Sequence, residues 1–197
     1  MRIAAVLLAA GQGKRFGGGK LKADFGGKPM AAAVMDALLS VRLDLRIAVV
    51  SDPQVAALAA QRGLQVIQND QPEMGISRSI QLGLDAAEAC DAVMFLAADQ
   101  PLLTAQSLTR LIEGFAAHGG GLACLRDGTH SGNPAIFSRA FYPALSALAG
   151  DRGAKRILTA NREHVLEVDC LYPHELDDAD DPQTLAQMLA LRETENE

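Results

Sequence analysis

The chain has 197 residues, a formal net charge of -6, 49% hydrophobic residues, no Trp and two Tyr. That length supports one core burying roughly 70% of the unfolded surface, and Ala, Leu, Val and Ile suit helices packed on a sheet. Net acidity with few rings argues against nucleic-acid binding, and no segment reaches the ~20 apolar residues that span a bilayer.

Apolar runs with turn-like ends predict buried strands at Ile3 to Leu8, Arg46 to Ser51, Leu64 to Gln68, Ala92 to Ala97 and Gly121 to Leu125. Helical periodicity fills the gaps between them: Pro29 to Val41, Pro53 to Arg62, Ser77 to Ala89 and Thr104 to His118. Strand alternating with helix implies parallel pairing in an α/β sheet covered on both faces. Beyond Gly132 the rhythm loosens. A short extended piece at Ala135 to Phe137 precedes helices near Arg139 to Leu148 and Ala154 to Ala160, a strand at His164 to Cys170 and a last helix at Pro182 to Leu191. With no linker or repeat, residues 1–197 read as a single domain: a nucleotide-binding half at 1–128, an acceptor-side half at 129–192 and a frayed tail at 193–197.

The three cysteines, Cys90, Cys124 and Cys170, are widely spaced and have no zinc pattern, as expected of a reduced cytoplasmic chain. The apolar run after Arg2 is about eight residues, short for a signal peptide.

Leu8 to Lys22, LAAGQGKRFGGGKLK, packs five glycines and four cations into fifteen residues without a carboxylate. A loop after the first strand of an open α/β sheet lies at the ligand-binding edge. There Gly11 and Gly13 would let backbone N–H groups turn inward as an anion nest, with Lys14, Arg15 and Lys20 adding charge. A dinucleotide fingerprint would need Gly at position 16, which is Phe16. A P-loop would need Ser or Thr after Gly19-Lys20, where Leu21 stands. The competing reading is a glycine-rich turn with solvated basic side chains.

The strand ending at Ala97 runs into Asp99-Gln100-Pro101, which puts a carboxylate at the same sheet edge. Asp99 is a plausible Mg²⁺ ligand beside a nucleotide; its alternative is an N-cap, for which Thr104 is better placed. The far end of the chain is acidic, with eleven acids against Arg192 over residues 163–197. Of the cluster Glu175, Asp177, Asp178, Asp180 and Asp181, most would favour the following helix N-terminus; Asp180, with Asp178 behind it, is the candidate second ligand. Ser77 reads as a helix cap, since no GxSxG frames it. Of the four histidines, only His130, beside Ser131-Gly132-Asn133, is a binding candidate.

These segments together resemble the molybdenum cofactor nucleotidyltransferases, in the CTP:molybdopterin cytidylyltransferase-like (MobA-like NTP transferase) branch. LAAGQGKRFGGGK is similar to the LAAGxSxRxGxxK signature, FGGKP to GxPL, PEMGISRSIQLGL to GMSxSLxxGL and DADDPQTL to the DxDTPEDL ending. LAADQPLL resembles the metal-binding strand end, and GNPAIFSR and LAGDRGAKRIL resemble later segments. Three positions depart: Gly13 for Ser, Asn133 for His and Asp181 for Thr.

The resemblance implies a three-layer Rossmann-like fold of the nucleotide-diphospho-sugar transferase (GT-A-like) type, a mostly parallel sheet with helices on both faces. It implies a Mg²⁺-dependent nucleotidyltransferase, with Mn²⁺ as substitute, moving CMP from CTP to the phosphate of molybdopterin with release of pyrophosphate. Leu8, Ala9, Ala10 and Gly11 would contact base and ribose, Arg15 and Lys20 the triphosphate, with Gly13 and Lys14 in the same loop. Ser77, Ser79 and Gly83 would lie near the nucleotide, and Asp99 with Asp180 would bind the metal. Ala10, where guanylyltransferases have Gly, favours CTP over GTP. A molybdoenzyme of the xanthine dehydrogenase type would be the downstream partner. Two alternatives stay open: another phosphorylated acceptor such as a sugar or polyol phosphate, and a non-catalytic molybdenum cofactor carrier.

Overall fold

The computed structural model describes residues 1–11, 13, 16–128 and 130–195. The expected strands form as β1 (Ile3–Ala9), β2 (Leu45–Val50), β3 (Gln65–Gln68), β4 (Ala92–Ala97), β5 (Leu122–Asp127), β6 (His130–Ser138) and β7 (Val165–Asp169). The helices are α1 (Met30–Leu39), α2 (Pro53–Gln61), α3 (Ile76–Ala86), α4 (Ala105–Ala117), α5 (Tyr142–Ser146), α6 (Lys155–Ala160) and α7 (Pro182–Glu195). Residues 193–195, expected in a tail, continue α7. No helix among the described residues is long and apolar enough to cross a membrane.

One seven-stranded sheet runs in the order β3-β2-β1-β4-β6-β5-β7. Successive side chains of a strand point to opposite faces, and β1 is buried on both. Ala5, Leu7 and Ala9 pack with Val34, Met35 and Leu38 of α1 and Leu108, Leu111 and Phe115 of α4. Ala4 and Val6 pack with Ile80 and Leu84 of α3, Leu145 of α5 and Ile157 and Leu158 of α6. The result is a three-layer α/β fold.

The sheet is mostly parallel, as expected; only β6 lies antiparallel, to both β4 and β5. It has nine residues where only Ala135 to Phe137 read as extended. The preceding Ser131-Gly132-Asn133-Pro134 has low strand propensity, and Pro134 has no N–H for the ladder. The Asn133 side chain makes up the deficit: with its amide oriented to satisfy both groups, its nitrogen donates to Phe95 O and its oxygen accepts from Ala97 N, each at 2.9 Å. The Asn133–Pro134 peptide is cis.

β2 and β3 lie on one side of β1, and β4 on the other. The direction of strand addition therefore reverses after β3, opening a crevice beyond the carboxyl ends of β1 and β4. A smaller cluster, Phe25, Met30, Ala179, Leu185 and Met188, fastens α7 beside that crevice. The Arg192 guanidinium lies 5.2 Å from the Phe25 ring centroid and donates to Phe25 O at 3.2 Å.

Candidate active site

The loop leaving β1 is held by its own backbone: Gly13 O accepts from Phe16 N at 3.0 Å and from Gly18 N at 3.3 Å. Gly13 has a φ of 55°, and a Cβ built there would stand 3.1 Å from Lys20 Cβ. A side chain at 13 would be strained and would press on Lys20. Lys20 opens a tight turn, Lys20–Lys22. From that turn Lys22 reaches Asp52 at 2.7 Å, while Lys20 points into the crevice. Lys14 and Arg15 lie outside the described residues.

Lys20 Nζ donates to Asp99 Oδ2 at 2.7 Å and to Asp180 Oδ1 at 3.1 Å. Burial would lower the Lys20 ammonium, but the hydrogen bonds and charges of the two aspartates outweigh it and hold it above its ordinary value. Asp99 does not cap the next helix, whose N-cap is Thr104. The acidic segment reaches Asp99 through the backbone: Ala179 N donates to Asp99 O at 2.9 Å, which sets Asp178 and Asp180 on either side of that contact. Burial, joined by the charge of Asp99, pushes the Asp178 carboxyl up to about 6, although its side chain keeps an open face to water.

Leu8, Gly11, Gly13, Lys20, Leu21, Asp99 and Asp180 enclose a cavity of about 290 Å³. It opens into a cleft of about 1030 Å³ that Ala10, Ser79, His130 and Asn133 also line. Ala9, Ser77 and Gly83 line neither space. Ala9 faces the opposite core. Ser77 is not the helix cap expected of it, because α3 begins a residue earlier behind Gly75; Ser77 N instead donates to Gly150 O at 3.1 Å. Gly83 is a packing position: a Cβ there would fall 2.3 Å from Val6 Cγ1, so its bare α-carbon lets α3 rest on β1.

Glu175 belongs to the scaffold. It is 1% exposed and accepts four hydrogen bonds, from Thr104 N and Oγ1, Ser107 Oγ and Tyr172 N, at 2.7 to 3.0 Å. Its negative charge sits at the N-terminus of α4, where a helix favours an anion. Because Glu175 holds the start of the acidic segment, Asp178 and Asp180 arrive at the crevice from an anchored base.

No three His, Cys, Asp or Glu side chains among the described residues form a ready metal cage. Asp99 and Asp180 carry two negative charges against the one positive charge of Lys20, so these three groups retain one net negative charge. Two hard carboxylate oxygens at the mouth of an anion loop suit a small divalent cation that completes its shell with water and phosphate oxygens.

Residues 5–165 match the family model described as the MobA-like NTP transferase domain. The chain belongs to that family. Nucleotidyl transfer is accordingly its activity. Purine catabolism protein PucB of Bacillus subtilis (strain 168) is 30% identical, the alignment covering 90% of this chain and 91% of PucB. Two solved structures share the fold. Rv0371C of Mycobacterium tuberculosis H37Rv, in complex with manganese, has a TM-score of 0.77 at 22% identity, covering 96% of this chain and 99% of its own. A CMP:2-keto-3-deoxy-manno-octonic acid synthetase complexed with CTP has a TM-score of 0.77 at 16% identity, covering 99% of this chain and 100% of its own.

The three positions that depart from the MobA-like pattern each have a structural role. Asp181 Oδ1 accepts from Thr184 N at 2.8 Å and from Thr184 Oγ1 at 3.0 Å, which holds its carboxyl below the usual range and caps α7; Asp and Thr both serve at that position. Asn133 completes the β4 edge, and Gly13 makes room for Lys20.

Proposed function

We propose that this MobA-like chain transfers CMP from CTP to the phosphate of molybdopterin, releasing pyrophosphate. The observation that supports it most is the convergence of Lys20, Asp99 and Asp180 at the switch point beyond β1 and β4. The phosphate oxygen of the acceptor attacks the α-phosphorus, and the bond from that phosphorus to the bridging oxygen breaks, its electron pair leaving on pyrophosphate. Transfer of this kind asks for positioning and charge neutralisation rather than a nucleophilic side chain.

Leu8, Ala10 and Gly11 bound the nucleoside end of the space, and the loop backbone with Lys20 faces the triphosphate, where Arg15 and Lys14 would add charge. Lys20, kept protonated by its two carboxylates, offsets the charge that develops on pyrophosphate. Asp99 and Asp180 would hold Mg²⁺ or Mn²⁺, which when bound neutralises phosphate charge at the reacting centre. Ser79, which accepts from Asn69 Nδ2 at 3.0 Å, is fixed at the wall on the nucleotide side. CTP is favoured over GTP by Ala10 and by the CTP-bound neighbour. A downstream enzyme of the xanthine dehydrogenase type is supported by the name of PucB, since xanthine is a purine.

The test is pyrophosphate release from the protein with Mg²⁺, molybdopterin and each of CTP, GTP, ATP and UTP in turn. The expected result is release that depends on molybdopterin and is fastest with CTP. Release only when molybdopterin is replaced by a sugar or polyol phosphate moves the acceptor assignment, and release with none of these favours a carrier.

A further inference from the structure

The wide cleft is acidic. Its described lining includes Glu73, Asp99, Asp151, Asp177, Asp178 and Asp180, so a phosphorylated acceptor enters against a negative field. Among the described residues lining the two spaces, the lysines are Lys20 and Lys155. Lys20 is already shared between two carboxylates. Lys155, at the start of α6 on the wall formed with β6, makes no ion pair among the described residues.

The position of that lysine is built. Ile157 and Leu158, 7% and 6% exposed, anchor α6 in the core, so the helix start is fixed relative to β6. The Lys155 stem crosses Gly132, where a Cβ would meet its Cδ at 3.4 Å and its Cε and Cγ at 3.6 Å. Gly132 itself takes a φ of 146°, a conformation that favours glycine, and the stem rests against it along the cleft wall.

We infer that the Lys155 ammonium seats the acceptor's phosphate, the group that attacks the nucleotide. The inference rests on the transferase reading above and assigns it an acceptor-binding residue. An ammonium suits the task because it is a compact charge with rotatable donors: it can hold some phosphate oxygens and leave another free to attack. Lys20 and Lys155 then divide the anions of the reaction, the first taking the triphosphate and the second the incoming phosphate.

Steady-state kinetics with Mg²⁺, CTP and molybdopterin test the inference. Lys155→Ala should raise KM for molybdopterin at least about tenfold, the loss expected for one charge-assisted contact, and leave KM for CTP unchanged. Lys155→Arg should restore most of it, and Gly132→Ala, which strains the backbone beneath the stem, should raise the same KM less. A rise in KM for CTP with that for molybdopterin unaltered would overturn the assignment. A second measurement needs no turnover: acetic anhydride labelling of the wild-type amines, mapped by peptide mass spectrometry. Inorganic phosphate should slow acetylation of Lys155 relative to sodium chloride at equal ionic strength, and equal rates would overturn the inference. Phosphate protection without any transfer to molybdopterin would leave Lys155 as a phosphate seat and remove molybdopterin as the acceptor.

Discussion

At one end of the cleft, Lys20, Asp99 and Asp180 come from three distant parts of the chain, with Lys20 2.7 Å from Asp99 and 3.1 Å from Asp180; at the other end, Lys155 lies along Gly132 and makes no ion pair among the described residues. The first arrangement sits on parallel strands at the switch point and is braced by the Ala179 to Asp99 backbone bond and by Glu175. The second sits on antiparallel β6 and a six-residue helix. On the proposed reading the difference separates two tasks: a preset charge cluster for a highly charged nucleotide, and an open cation for the acceptor.

The comparison breaks first at Asp99. Asp99→Ala should lower the transfer rate by about three orders of magnitude, roughly 4 kcal/mol of transition-state stabilisation, measured as pyrophosphate release under saturating Mg²⁺. Near-normal turnover would remove the carboxylate from the chemistry. Next is the brace: Glu175→Ala leaves the buried Ser107 hydroxyl and partly buried donors on Thr104 and Tyr172 without their acceptor and should cost about 3 kcal/mol in urea unfolding. An unchanged midpoint would mean that the acidic segment is held by other contacts.

Gly83→Ala sharpens the distinction between a ligand contact and a packing contact. Its new methyl meets Val6, so stability should drop by about 2 kcal/mol while KM for CTP of the folded enzyme stays unchanged. A selective rise in that KM would return Gly83 to the nucleotide site. The smallest effect concerns the contact between α5 and the turn that precedes β4. Tyr142 Oη donates to Cys90 O at 3.1 Å, and burial pushes its hydroxyl up to about 12. Its folded pKa is raised above the unfolded value of about 10, so its contribution is whole below pH 10 and is lost as pH rises towards 12. Tyr142→Phe should cost about 1 kcal/mol at neutral pH and flatten that alkaline loss, as read from thermal melts at pH 7 to 12.

Much of the nucleotide end was legible in the sequence, because continuous apolar runs mark buried parallel strands and a strand ending in Asp marks their carboxyl edge. Asp99 reads from that strand end, and Lys20 from the acid-free, glycine-rich loop after the first strand. Asp180 stands out from the acidic cluster as the candidate second ligand and the resemblance supports the same residue, although DDADD alone does not tell a ligand from a cap; the structure puts Asp181 in the capping position. The far end was less legible. β6 hides behind Ser131-Gly132-Asn133-Pro134, where an amide side chain replaces backbone partners, and such a replacement has no periodicity to read. Gly83 falls near the nucleotide only by the resemblance; its close approach is to Val6, and only coordinates show which surface a bare α-carbon meets. Glu175 reads in sequence as one more acid favouring the helix that follows, whereas four donors from α4 and its own segment surround it.

The central claim is that Asp99 and Asp180 form a divalent metal site beside the nucleotide. Titration of Mn²⁺ into the protein with CTP, followed by electron paramagnetic resonance of the free ion, tests it directly. The account predicts that the wild type removes one equivalent of Mn²⁺ from solution and that Asp99→Asn and Asp180→Asn each weaken binding at least about tenfold. A doubly substituted protein that binds Mn²⁺ as the wild type does would contradict it.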